Sequence, residues 1–233
     1  MFERALLVVS ISLSSLALAA CSTAADEATP TSDPAAQSAH SEAQAEGKAH
    51  RAEAAPMKAS FDAADLEARN GVAYFAGGCF WGVEHFLEQM DGVYSVESGY
   101  MGGHLDNPSY ADVTGHESGH LETVRVYFEP DRVSYEAVAK RFFEIHDPTQ
   151  ANGQGPDIGP QYLSAVFVTG DAQREATEGL IQRLKDRGYD VVTTVRPAAT
   201  FWTAEEYHQD YYVRHRKQPY CHRPVDRFGD GES

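Results

Sequence analysis

The stretch Gly71–Met90, GVAYFAGGCFWGVEHFLEQM, changes its hydrophobic period in mid-course. Val72 to Ala76 is a short apolar run stopped by Gly77-Gly78, the signature of a buried strand. From Phe80 the apolar residues recur at Val83, Leu87 and Met90, which is helical spacing, and Asp91-Gly92 closes the segment. Downstream, Val93 to Tyr100 is strand-like and ends at Gly102-Gly103. Leu121 to Phe128 alternates most cleanly, with Val124, Val126 and Phe128 on one face and Thr123, Arg125 and Tyr127 on the other. Ser134 caps a predicted helix whose stripe is Val138, Phe142 and Ile145, running to His146. Gln161 to Val168 is apolar on both faces and predicts a central strand. A helix opens at Asp171 with Ala172, Ala176, Leu180 and Leu184 in register and stops at Gly188; Val191 to Arg196 predicts a strand and Ala204 to Val213 a last helix. The order β-α-β-β-α-β-α-β points to an α+β fold, a ferredoxin-like split β-α-β sandwich in which helices pack on a single mixed sheet.

Composition bounds what such a domain can do. Thirty-five acidic against 19 basic side chains leave a formal net charge of −16. Nucleic-acid binding, which needs clustered cations to displace counterions from phosphate, is excluded, and docking of the folded surface on anionic lipid is disfavoured. Hydrophobic residues at 42 % suffice for one packed core, expected from about residue 61 to 233. No apolar run reaches the roughly 18 to 20 residues of a membrane helix. Met1–Arg4 followed by the serine-diluted apolar stretch to Ala20 reads as a signal peptide of residues 1–20. Leu18-Ala19-Ala20-Cys21 resembles a bacterial lipobox, which implies lipid on Cys21 and, with Ser22 next, a periplasm-facing outer-membrane anchor. The alternative is an ordinary cleavage site with Cys21 as a spare thiol. Residues 21–60 hold no aromatic, Leu, Ile or Val, so they form a disordered leash, reaching roughly 35 Å as a flexible coil.

Three residue patterns carry candidate chemistry. Cys79 sits at a glycine-flanked strand-to-helix turn, where unpaired amides and the helix dipole favour a thiolate; a free cysteine is otherwise a small buried hydrophobe. Glu122 shares the face of Val124, Val126 and Phe128, so its carboxyl either sits protonated in an apolar setting, ready to donate, or is paired with a cation or wetted at the strand end. His116-Glu117-Ser118-Gly119-His120 satisfies the H-E-x-x-H zinc signature, but that motif needs a helix, and two glycines and a following strand argue for a loop with no metal.

Gly78-Cys79-Phe80-Trp81-Gly82, Gly99-Tyr100-Met101-Gly102-Gly103, Asn107-Pro108 with Tyr110, Gly119-His120-Leu121-Glu122, His146-Asp147-Pro148, Gln161-Tyr162 and Tyr207-His208-Gln209 follow in one order. In that order, across about residues 71–222, the chain resembles the peptide-methionine (S)-S-oxide reductases, the A-type methionine sulfoxide reductases. The resemblance implies reduction of methionine S-sulfoxide, protein-bound or free, with Cys79 as nucleophile and Glu122 as proton donor. It further implies that Tyr110 and Tyr162 hold the sulfoxide oxygen, that Asp157 assists, and that Phe80 and Trp81 wall an apolar pocket for the S-methyl group. Cys221, on a tail expected to be mobile, would resolve the Cys79 sulfenic acid as a disulfide, and a thioredoxin-like dithiol would reduce it, with no bound cofactor. In an exported protein the same two cysteines could instead form a static staple. The further tail cysteine frequent in the family is absent, so recycling would rest on Cys221 alone. A monomer repairing envelope proteins is expected; the competing readings are a zinc hydrolase built on His116 and His120, and a non-catalytic lipoprotein with a structural disulfide.

Overall fold

The computed structural model describes residues 61–231. The signal-peptide, Cys21 and linker expectations fall on residues outside that range. Strand β1 (Val72–Ala76) leads through Gly77-Gly78 into helix α2 (Phe80–Leu87); a short helix α1 (Ala63–Ala68), capped by Asp62, precedes it. Strand β2 (Val93–Met101), helix α3 (Tyr110–Thr114), strand β3 (Leu121–Phe128) and helix α4 (Tyr135–Ile145) follow. The two-residue hairpin β4 (Gly153–Gln154) and β5 (Asp157–Ile158) precedes strand β6 (Ala165–Val168) and helix α5 (Asp171–Asp186). Strand β7 (Thr194–Pro197), strand β8 (Trp202–Thr203) and helix α6 (Tyr211–His215) complete the chain.

The sheet runs β7-β6-β1-β3-β2-β8. Strand β3 lies between β1 and β2 and is antiparallel to both, so the β1-α2-β2 unit is split. Strand β6 closes on β1 in antiparallel sense, and β7 adds to β6 in parallel, making the sheet mixed. The predicted split β-α-β sandwich is therefore present. On one face Phe75, Val124, Val126 and Val166 meet α2, α4 and α5, with the Phe75 and Phe142 rings stacked at 4.8 Å. The opposite face is covered by smaller clusters around Phe167 and Met101 and around Leu66 and Tyr127.

Helix α2 spans only eight residues, too short to persist by propensity alone. Its Phe80, Trp81, Val83 and Leu87 are all buried, each worth about 1.5–3 kcal/mol of burial, and Trp81 stacks on Tyr211 at 3.6 Å. Tertiary packing, not local preference, holds the segment that begins at Cys79.

Three predicted elements differ in extent. The strand expected over 161–168 starts as a 3-10 turn, Pro160–Tyr162, and pairs only from Ala165. The strand expected from Val191 pairs only over Thr194–Pro197. The last helix, expected over 204–213, is broken: a 3-10 turn at Glu206–His208 gives way at Asp210, whose left-handed backbone (φ 53°) restarts the chain as α6.

Candidate active site

Cys79 is the N-cap residue of α2, placed there by the Gly78 turn, whose φ of +93° lies in the left-handed region. Its side chain is 0 % exposed. The next amide, Phe80 N–H, donates to Glu122 Oε2 at 3.0 Å. The helix end was expected to favour a thiolate at Cys79. In this closed arrangement burial outweighs it: desolvation pushes the Cys79 thiol well above its usual range, and its S–H is donated to Cys221.

Glu122 points from β3 into the helix-covered face, as the alternation predicts. It is buried, and its Oε1 has no hydrogen-bond partner. Burial lifts its carboxyl well above the ordinary range, the Phe80 amide opposes this, and the charges that reach it, Asp157 and Cys221, share its sign. Among the described residues no cation offsets it, so of the two readings the pattern left open, the structure shows the buried, uncompensated carboxyl. Such a group stays protonated, because an unpaired buried carboxylate costs several kcal/mol.

Tyr110 and Tyr162 arrive from opposite sides, one as the first residue of α3 and one from the 3-10 turn before β6. Their hydroxyls are hydrogen-bonded to each other, and burial beside Glu122 raises both phenols. Glu205 holds the Tyr110 end in place: one oxygen accepts from the Tyr110 amide at 2.9 Å and the other from the Tyr100 hydroxyl at 2.8 Å. Phe80 and Trp81 are fully buried; Trp81 Nε1–H donates to His208 Nδ1 at 3.1 Å, and the His208 ring packs on Phe80 at 4.9 Å and on Tyr110 at 4.6 Å.

The tail closes the site. It is loop, as its composition suggests, yet it buries His222, Arg227 and Phe228. The amides of Arg223 and Val225 donate to the carbonyls of Ile145 and Glu144 at 3.2 and 2.9 Å. Cys221 then lies against Cys79, and both are free thiols. The Cys79 and Cys221 sulfurs and an Asp157 oxygen all lie within 4.8 Å of one another. Asp157, on β5, accepts from the Tyr220 hydroxyl at 2.9 and 3.1 Å. Burial pushes Asp157 up to about 8, and Cys221 adds to the rise. Cys221 is itself held well below an ordinary thiol, first by the Cys79 S–H and then by the His222 ring, whose Nδ1 is 3.0 Å from its sulfur.

All six catalytic candidates, Cys79, Glu122, Tyr110, Tyr162, Asp157 and Cys221, are thus gathered around one buried point. The pattern did not single out His222, Tyr220 or Glu205, and it held His208 only as part of the Tyr207-His208-Gln209 motif, with no role of its own. A histidine directly after the last cysteine was a usable signal; the others were not legible, because only tertiary contacts give them a role. The flanking glycines of the turn leave room for a close approach to the backbone. They admit this chain's own groups: a Cβ at Gly82 would stand 2.2 Å from His222 Nδ1, and one at Gly78 2.3 Å from Gln154 Cβ.

The H-E-x-x-H stretch forms no helix. His116 is exposed with φ 67°, while buried His120 uses both ring nitrogens, Nδ1 accepting from Gly103 N–H at 3.2 Å and Nε2 on Leu105 O at 2.7 Å. Those bonds leave His120 no nitrogen for a metal. Among the described residues the only converging donor set is Cys79, Asp157 and Cys221; their hydrogen bonds to one another account for the convergence.

Comparisons with known proteins bear on the family and the fold. A family model described as peptide methionine sulfoxide reductase matches residues 71–230. Peptide methionine sulfoxide reductase MsrA 1 of Rhodopirellula baltica is 47 % identical over 155 residues, 66 % of this chain and 81 % of the relative. The corresponding MsrA of Methanothermobacter thermautotrophicus is 48 % identical over 149 residues, 63 % of this chain and 88 % of the relative. Among solved structures, reduced Mxr1 from Saccharomyces cerevisiae superposes with a TM-score of 0.63 at 31 % identity, covering 66 % of this chain and 92 % of the other. Methionine sulfoxide reductase A of Corynebacterium diphtheriae gives 0.57 at 30 % identity, covering 65 % and 77 %.

Proposed function

Because the chain belongs to the peptide methionine sulfoxide reductase family, we propose that its six gathered side chains divide the reduction of methionine sulfoxide among them as follows. The Cys79 sulfur attacks the sulfoxide sulfur, and its own proton replaces the one that Glu122 gives up. Glu122 delivers its proton to the sulfoxide oxygen, which Tyr110 and Tyr162 hold. The oxygen, now a hydroxyl, passes from the methionine sulfur to the Cys79 sulfur as the transient S–S bond breaks, so that methionine departs and Cys79 is left as a sulfenic acid. Phe80 and Trp81 supply the apolar wall for the S-methyl group, and Asp157 assists from β5. Cys221 then closes a disulfide with Cys79, which a thioredoxin-like dithiol reopens; the electrons come from thiols, with no prosthetic group.

The observation that supports this reading best is the uncompensated Glu122 carboxyl anchored on the amide directly after Cys79. It sets a proton donor beside a nucleophile. Since Cys79 is fully enclosed, the Tyr220–His222 segment must lift for a sulfoxide to enter.

A single-turnover experiment tests the cycle. The reduced chain with one equivalent of each sulfoxide epimer and no reductant should yield methionine from the S epimer only, and should lose two hydrogens in mass as the disulfide forms. Methionine without that mass loss would remove Cys221 from the cycle, and no methionine from either epimer would remove the roles given to Cys79 and Glu122.

A lipid-anchored, envelope-facing enzyme that repairs oxidised proteins there is the setting proposed for the full chain, supported by Leu18-Ala19-Ala20-Cys21 and the apolar stretch before it. In a bacterial host, the mature N-terminal peptide should begin at Cys21 and carry acyl mass; an unmodified Cys21, or an intact Met1, would refute the anchor.

A further inference from the structure

We propose that His222 is a catalytic residue of the recycling half-reaction, the base that takes the proton of Cys221. The inference deepens the recycling role given above to Cys221 and rests on it. It stands on two contacts and a fit. His222 Nε2 lies 2.7 Å from Gly77 O, and Nδ1 lies 3.0 Å from Cys221 Sγ. A carbonyl only accepts, so Nε2 carries the proton, and in the neutral ring the Nδ1 lone pair faces the thiol. Nucleophile, base and an acceptor that orients the base stand in line, the arrangement by which Cys–His pairs generate thiolates. The fit is that of a built site: His222 is buried, and its ring lies on the bare Gly82 backbone, where a Cβ would stand 2.2 Å from Nδ1.

The groups facing His222 agree with this role. Burial opposes a charge on the ring, but Cys221 and Asp157 lie on its acidic side and, with the bond to Gly77 O, raise its affinity for a proton above the ordinary value. His146, the other imidazole nearby, is held down to about 3 by burial and so brings no competing charge at neutral pH. Among the described residues no lysine or arginine shares the contact with the Cys221 sulfur.

The step balances. The Cys221 S–H proton moves to His222 Nδ1, and the sulfur lone pair attacks the Cys79 sulfur of the sulfenic acid. The Cys79 S–O bond breaks, and the leaving hydroxide takes the proton back from His222 as water. Cys221 is oxidised, the sulfenic acid is reduced to the disulfide, and the imidazole ends neutral, still held on Gly77 O.

The test uses the full chain and His222→Gln, which can still donate to Gly77 O but cannot take the thiol proton. After one equivalent of methionine S-sulfoxide, disulfide formation in H222Q should be about 100-fold slower than in wild type, the usual scale of a positioned base. A dimedone-trappable sulfenic acid should accumulate meanwhile. Iodoacetamide labelling of Cys221, followed on its own peptide by mass spectrometry, should need a pH about one unit higher or more in H222Q, a shift that a merely structural role would not produce. Equal disulfide rates in the two proteins would overturn the role of His222 and leave recycling intact. Failure of the wild type itself to form the Cys79–Cys221 bond would overturn both. Should H222Q not fold, ¹⁵N spectra of the wild-type imidazole answer instead: Nδ1 protonated at neutral pH, and deprotonated once Cys221 is alkylated, supports the pair. A ring neutral in both states refutes it.

Discussion

Cys79→Ser should reduce methionine formation from the sulfoxide to background, a loss on the order of 10⁴-fold or more, the scale reached when an enzyme loses its nucleophile. The expectation rests on position as well as chemistry. Among the described residues, Cys79 is the only thiol that has a protonated carboxyl, two hydrogen-bonded phenols and a helix N-terminus around it. Serine fits the same N-cap and can donate to Cys221 as the thiol does, so the fold should persist, with melting temperature and far-ultraviolet dichroism close to wild type. Cys221→Ser should behave differently, yielding about one equivalent of methionine and then stalling. The pair of variants separates attack on the substrate from recycling. If C79S retained turnover within tenfold of wild type, another group would have to be the nucleophile.

Glu122→Gln should slow sulfoxide reduction by about 10²–10⁴-fold, the usual contribution of a positioned acid. Glutamine keeps the shape and can still accept from Phe80 N–H at the bond seen here, but it cannot give up a proton. Wild-type activity should fall as pH rises through the raised pKa of Glu122, and that part of the profile should vanish in E122Q. Wild-type stability should fall with rising pH as well. The folded carboxyl titrates above its unfolded value, so its contribution is complete below the unfolded pKa and is lost as pH rises through the folded one. A group that cannot ionise escapes that loss. The melting temperature of E122Q should therefore gain on wild type as pH is raised, and the two should converge in acid. Asp157, pushed up to about 8, titrates in both proteins, and only in the wild type does its charge also raise Glu122. A variant that kept wild-type turnover while gaining alkaline stability would mark Glu122 as a buried acid with no part in catalysis.

These two predictions draw on different kinds of information. The order of strands and helices was legible in the sequence because burial is periodic: β3 alternates over eight residues, and α4 carries a continuous apolar stripe behind a serine cap. Where the period was not the controlling factor, the reading missed. Gln161 and Tyr162 are apolar-facing, yet they turn rather than pair, because Gly159 and Pro160 start a 3-10 turn there. The segment 204–213 has helical composition, but Gln209 is spent on Ser98 and Ala204, accepting from the Ser98 amide at 2.9 Å and donating to the two carbonyls. The two bonds to Ser98 span 111 residues of sequence, and no local rule announces them.

For the site, the sequence by itself determined which side chains are chemically competent and, by alternation, that Glu122 faces the helix-covered side of β3. It also determined that Cys79 stands at a helix start, since a strand, two glycines and an amphipathic run leave no other geometry. Only the tertiary structure decided the protonation pattern. Whether a carboxyl or a thiol holds its proton depends on the water and the charges removed from around it, and those are removed by groups distant in the chain: Cys221 over Cys79, Asp157 beside Cys221, and His222 on the bare backbone of Gly82. Electrostatic energy in a buried site is set by through-space distance and desolvation. A one-dimensional pattern carries neither, which is why the thiolate expected at the helix end lies, in the closed molecule, on the cysteine of the tail.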